Sequence, residues 1–297
     1  MTENNLFTPI TIGELSLSHR VVMAPLTRMR ATVPGNVPNE MMAQYYGQRA
    51  SAGGLIIAEA SQVSEDGRGA PCTPGSHSPE QIAGWKLITN AVHAKDGKIF
   101  LQLWHMGRLS HQSHQPDGKL PIAPSPIAAN TEVMTTEFER VPCPTPRALE
   151  TEEIPDLIER YVHAARSAME AGFDGVEIHA GNGYLLEQFL QTRTNQRTDA
   201  YGGSIDNRCR LVLEITEAIT VVLGSERVGI RLTPYGIAND SGEENPMPLY
   251  THLVKELDKL NLAYLHLIEP RASGAGQREV DHKGVPSAAE LFRPMWR

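Results

Sequence analysis

The chain has 297 residues, with 27 Lys and Arg against 35 Asp and Glu, a formal net charge of −8. With 40% apolar and 21% charged residues, it can bury a large core as two modest domains or one large α/β domain. The acidic balance argues against non-specific nucleic-acid binding, which needs cations to neutralise phosphates, but one local arginine could still hold a phosphate-bearing cofactor. The three cysteines, Cys72, Cys143 and Cys209, are scattered and odd in number, which argues against a structural zinc site, an iron–sulfur cluster and a disulfide scaffold. The N-terminus has no basic start or apolar stretch, and no apolar run approaches the roughly 18 residues of a membrane span. A cytoplasmic protein without membrane or nucleic-acid partners is expected.

Six short apolar runs read as buried strands: residues 21–25, 55–60, 99–104, 175–179, 228–232 and 263–268. Helical stripes separate most of them. Ile82, Trp85, Ile88 and Val92 form one stripe, which Gly97 can end. Ile154, Leu157, Tyr161, Ala165 and Ala168 form a second, stopped by Gly172. Ser204 can cap a third, carrying Val212, Ile215 and Ile219 and ending at Gly224. Leu249, Leu253, Leu257 and Leu260 form a fourth. Strands alternating with helices predict a parallel sheet with helical crossovers. The longest interval follows the third strand. Its excess, residues 105–150, is rich in Pro, Ser, Thr and His, and reads as an insertion capping the face where α/β proteins keep their chemistry. One domain over residues 1–297 is expected. Periodicity alone leaves a barrel and an open sheet both standing.

His179, Asn182 and Tyr184 follow the end of the fourth strand, where parallel α/β enzymes place catalytic groups. His and Asn can aim two donors at one oxygen and stabilise developing negative charge, as in an enolate. A tyrosine two residues further on can supply a proton. The plainer reading is a strand-end histidine bonded to backbone beside a turn at Gly181 and Gly183. That Gly-Asn-Gly sequence also starts like a dinucleotide-binding loop, but Leu186 stands at the third glycine position.

These residues, with Gln188, Phe189 and Leu190 and then Thr194, Asn195, Arg197, Thr198, Asp199, Tyr201, Gly202, Gly203 and Ser204, form a pattern that resembles the Old Yellow Enzyme family. The resemblance extends from Leu6 and Phe7, through Arg20 to Arg28 and Gln102 to Arg108, to Arg231 and Pro234. It is strongest toward the N-ethylmaleimide reductase and fungal ene-reductase branches. It implies a TIM-type (β/α)8 barrel, bound FMN and NADPH or NADH as reductant. It also implies reduction of the activated C=C bond of α,β-unsaturated carbonyls or nitro compounds.

Carried over, the resemblance implies that Pro25, Leu26 and Thr27 lie beside the flavin ring, with the Thr27 hydroxyl near O4. Ala60 forms a small wall, Gln102 meets the pyrimidine edge, and Arg231 sits near N1 and the C2 carbonyl, where its charge stabilises reduced flavin. Trp104 lines the substrate pocket. His179 and Asn182 hold the substrate oxygen, and Tyr184 protonates the α-carbon. Read without the resemblance, Thr27 could be a cap, Trp104 a core residue, and Arg231 a structural partner of Glu177 or Glu59. The segment from Asn195 to Ser204 reads as a loop tie without catalytic work.

Two departures stand out. Ala70 occupies a place before Thr73-Pro74-Gly75 where the family often has an aromatic, which predicts a wider pocket. Only about six of eight strand–helix units are found. After the sixth strand come a loop, Ser287 as a cap and a short helix, with no match to the family's phosphate-binding turns. An open barrel would expose two sheet edges and invite self-association. The alternative function is therefore a truncated or partner-dependent family member that is not competent alone. The dienoyl-CoA reductase type with an iron–sulfur cluster is disfavoured by the scattered cysteines.

Overall fold

The computed structural model describes residues 5–269 and 285–297. The first four residues of the N-terminal reading lie outside that range. Six parallel strands form the central sheet: β1 (Val22–Met23), β2 (Leu55–Ile57), β3 (Lys98–Trp104), β4 (Gly175–Ala180), β5 (Val228–Leu232) and β6 (Tyr264–Leu267). They lie side by side in chain order, β1 to β6, each hydrogen-bonded to the next. Ser61–Gln62, just beyond β2, adds a further pairing to β3. The expected strands are all present, with β1 and β2 trimmed.

The helices are α1 (Glu40–Gly47), α2 (Pro79–His93), α3 (Ile154–Glu170), α4 (Leu185–Leu190), α5 (Ile205–Leu223), α6 (Pro246–Asp258) and α7 (Ala288–Phe292). Several of their starts follow capping chemistry. Ser78 and Gln81 make a reciprocal box at α2, Ser204 accepts from the Asn207 amide at α5, and Ser287 and Glu290 make a box at α7. Helix α2 stops earlier than Gly97. Asp96 takes the left-handed turn (φ 56°), and the Gly97 amide closes back on the Val92 carbonyl. Helices α1 and α4 were not foreseen, because each is too short to show a full apolar stripe.

The outward sheet residues Ile99, Leu101, Val176, Ile178, Val228 and Ile230 pack against the helices in the main core. At the base, Leu55, Ile57 and Phe100 of the sheet form a second cluster with Leu17 from the hairpin that precedes β1, and Tyr264 packs against it. The two end strands face each other: Val22 and Ala24 on one side and Tyr264, Leu265 and His266 on the other line one apolar cavity of about 240 Å³. The sheet is therefore curled, and the fold is a TIM-type barrel with six strand–helix units among the described residues.

Close packing inside the curl depends on missing side chains. A Cβ on Gly229 would meet the Tyr264 ring at 2.2 Å, and one on Gly175 would meet the Phe100 ring at 2.4 Å. Gly229→Ala should cost about 1–3 kcal/mol of stability through overpacking, read as a lowered urea midpoint. Combining it with Tyr264→Leu should recover part of that loss, since the two rings and the strand share one space.

Candidate active site

In-register parallel strands send paired residues to the same face, so the inward residues of β3 to β6 form rows. His179 of β4 pairs with Arg231 of β5, which pairs with His266 of β6. One layer below, Gln102 pairs with Glu177. The row that includes His179 and Arg231 lies at the C-terminal end of the sheet, next to Trp104 at the end of β3 and Tyr184 beyond β4.

Three rings meet there. Tyr184 packs edge-on against His179 and against Trp104, with ring centroids 5.0 Å apart in both cases. Ala60, Trp104, Met106, Leu109, Ala129, Val133 and Cys143 form the surrounding apolar cluster, with Ala70 and Tyr184 against it. Residues from the 105–150 segment thus wall this end of the barrel. Gln188 anchors that segment: its Nε2 donates to the Met106 and Gly183 carbonyls, and its Oε1 accepts from the Arg108 amide. Arg108 in turn reaches Asp240 in the loop after β5.

Burial sets the charge states. His179 is nearly fully buried, and burial drives its pKa well below the usual value, with the charges of Arg231 and His266 adding to the effect. The imidazole is neutral at physiological pH. Burial raises the Tyr184 phenol, opposed by an Asn239 hydrogen bond and the Arg231 charge, so it keeps its proton. Arg231 has no ion-pair partner among the described residues. Glu177 is committed to Gln102 Nε2 at 2.7 Å and His266 Nδ1 at 2.9 Å, while Glu59 is committed to the Tyr46 hydroxyl and the Arg28 amide. The Glu177 charge still acts on Arg231, but neither carboxylate forms a hydrogen bond or ion pair with it among the described residues.

Trp104 Nε1, His179 Nδ1, Asn182 Oδ1 and Arg231 Nε are buried without a hydrogen-bond partner. Leaving such groups unpaired costs about 1–3 kcal/mol each, so their concentration at one strand end points to a bound molecule. Pro25 is buried while Leu26 and Thr27 are exposed beyond β1. No hydrogen bond brings Leu26 or Thr27 to the His179 cluster among the described residues.

Comparison with known proteins decides the family. The family model for the NADH:flavin oxidoreductase / NADH oxidase family matches residues 5–296. The chain is 48% identical to the flavin oxidoreductase hxnT of Emericella nidulans, over 97% of this chain and 76% of that protein. It is 46% identical to 12-oxophytodienoate reductase 1 of Oryza sativa subsp. japonica, over 95% and 73% of the two chains. The structure of morphinone reductase in complex with tetrahydroNAD matches with a TM-score of 0.89 and 48% identity, over 99% of this chain and 79% of that one. An old yellow enzyme homologue from Zymomonas mobilis matches with a TM-score of 0.91 and 40% identity, over 99% and 80%.

The chain belongs to the Old Yellow Enzyme family. It is a flavin oxidoreductase of FMN and NAD(P)H, an ene-reductase by family. The orphaned polar atoms and the unpaired guanidinium fit such a cofactor, because an electron-rich ring edge needs buried donors and a cation. No helix among the described residues is long and apolar enough to cross a membrane.

Several positioning groups had not been singled out. Glu187, Thr233, Asn239, Tyr250 and His266 all bond within or beside this site. The available signal was carboxylates inside apolar runs, as Glu59, Glu177 and Glu187 are. The segment from Asn195 to Ser204 is the expected tie. The Asn195 amide group donates to the Phe189 and Tyr201 carbonyls, and Arg197 pairs with Asp199.

Glu59 provides a pH test. Burial pushes its carboxyl up to about 7 against donors from the Arg28 amide and Tyr46, so the folded chain holds a proton that the unfolded chain loses above about 4.5. Stability from this group is full below that pH and falls as pH rises through 7. Glu59→Gln should remove up to about 3 kcal/mol of this pH dependence, measured as urea midpoints at pH 5 and pH 8.

Proposed function

We propose that this chain reduces the activated C=C bond of α,β-unsaturated carbonyls or nitroalkenes, with His179 and Asn182 holding the substrate oxygen and Tyr184 donating the proton. The observation that carries the reading is the buried meeting of His179, Tyr184 and Trp104 beside the unpaired Arg231. Pro25, Leu26, Thr27, Ala60, Gln102 and Arg231 would hold the FMN. Bound FMN would supply the redox chemistry, hydride exchange between a nicotinamide and the substrate.

The protein's part is binding, charge and proton. The neutral His179 ring offers one N–H, and the Asn182 side chain stands three residues further on in a fixed turn. Two neutral donors converging on one oxygen stabilise the charge that grows there as the β-carbon is reduced, without forming an ion pair that would have to be separated. The Tyr184 phenol, kept protonated by burial and fixed by two ring contacts, gives its proton to the α-carbon. The 105–150 segment acts as the wall that keeps water from this step. Ala70 brings only a methyl group to the cluster around Trp104, and a small side chain there would favour substrates bulkier than simple cyclic enones.

Tyr184→Phe should leave flavin reoxidation by 2-cyclohexenone within several-fold of wild type and slow formation of the saturated ketone by about 10²-fold. Equal product formation in both proteins would remove Tyr184 from the proton step.

A second reading is favoured by the apolar side chains in and beside β1, Val21, Val22 and Leu26, which are partly exposed to solvent. In it, two copies pair along their barrel edges before FMN is held. Light scattering with flavin absorbance tests this. A yellow dimer and a colourless monomer are expected, and a monomer retaining one FMN per chain would overturn it.

A further inference from the structure

The turn that carries Asn182 is not held by its own strand. Asn182 is left-handed, with φ 57°, a conformation that asparagine tolerates but that still needs external support. Its amide donates to the Thr233 hydroxyl at 3.0 Å, and its carbonyl accepts from Asn239 Nδ2 at 2.8 Å. The Thr233 hydroxyl donates in turn to Glu187 Oε1 at 2.5 Å. The next amide, Gly183, donates to Glu187 Oε2 at 2.6 Å. A Cβ on Gly183 would fall 2.9 Å from the Ala238 carbonyl, so the turn and the loop after β5 touch directly.

We propose that Glu187 is a positioning residue whose carboxylate, through the Gly183 amide and the Thr233 hydroxyl, clamps the turn that aims Asn182 at the substrate oxygen. The proposal rests on the substrate-holding role given to Asn182 above.

Glu187 is fully buried, on α4, and every group bonded to it is a donor: the Gly183 amide, the Thr233 hydroxyl and the Tyr250 hydroxyl of α6 at 2.7 Å. Three donors suit an ionised carboxylate. A protonated carboxyl would bring a fourth hydrogen into the same space, and one bond would have to give. No cation pairs with Glu187 among the described residues. Charged groups border this network on two sides: Glu243, whose charge acts on Tyr250, pairs with Arg208 at 3.3 Å, and Asp240, next to Asn239, pairs with Arg108 and Arg193 at 3.3 Å each. Burial without a cation pushes the Glu187 carboxyl up to about 7, against the three donors. His179 and Tyr184 are shifted away from neutrality in opposite directions, so neither competes with Glu187 as the source of a pH response there.

The clamp is then full above neutral pH and loosens below it. The test uses the FMN-loaded protein labelled with 15N. The Gly183 and Asn182 amide signals should titrate together with a midpoint near 7. Tyr250→Phe removes one donor to the anion and should raise that midpoint, by about half a unit or more. Thr233→Val should abolish the Asn182 response, keep the Gly183 response, and lower kcat/KM for 2-cyclohexenone about ten-fold or more. Thr233→Ser, which keeps the hydroxyl, should restore both. The acid limb of kcat/KM should follow the amide midpoint in wild type and in Tyr250→Phe, while Glu59→Gln should leave that limb in place. Thermal melts confirm that each variant is folded.

A Gly183 amide that does not titrate between pH 5.5 and 8.5 overturns the proposal. So does an acid limb that stays put in Tyr250→Phe. If Asn182→Ala leaves enone turnover intact while the amides still titrate, the substrate role of Asn182 fails and the clamp itself stands.

Discussion

Parallel, in-register pairing is the constraint on which the rest of the site depends. Because paired residues share a face, one register sets which side chains meet inside the curl. His179, Arg231 and His266 are neighbours for no reason other than that their backbones pair. The same register puts Gln102 against Glu177 one layer down and sets Gly175 and Gly229 opposite the Phe100 and Tyr264 rings. A shift of one residue would turn the polar row outward into the apolar helix layer. The fold therefore encodes the site through strand alignment before any loop is considered.

Carboxylates buried in apolar runs do the second task, which is to hold loops. Glu59 takes the Arg28 amide, just beyond Thr27, and Glu187 takes the Gly183 amide, just beyond Asn182. Glu177 instead bonds inward, joining Gln102 to His266 across the sheet. A buried carboxylate is costly, and each of these offsets the cost with two or three donors. The return is rigidity at strand ends, where short strands alone would leave the chain loose.

The six strands were legible because each is a short apolar run between helical stripes, and the caps at Ser204 and Ser287 were legible because capping is local chemistry. His179, Asn182 and Tyr184 could be read as a group because they lie within six residues of one another, and the structure brings His179 and Tyr184 into contact. Thr233, Asn239 and Tyr250 were not legible, because they act through contacts some 50 residues or more from the turn they support. Glu187 sat inside the recognised pattern yet looked like a spacer. Its role appears only when α6 and the loop after β5 are packed against it. Helix α4 is likewise hard to read, because six residues are too few to show a helical stripe.

The three tryptophans occupy three different surroundings. Trp85 is sealed in the main core against Phe173, Trp296 is half-buried near the end of the chain, and Trp104 stands in the polar row against Tyr184. Trp104 alone adjoins the groups that would touch a bound chromophore. Its emission is therefore a natural lamp for the site, dimmed when an absorbing ring lies beside it and bright when none does. Trp85 and Trp296 lie outside those contacts, so a Trp104→Phe variant would separate the light of the site from the light of the core.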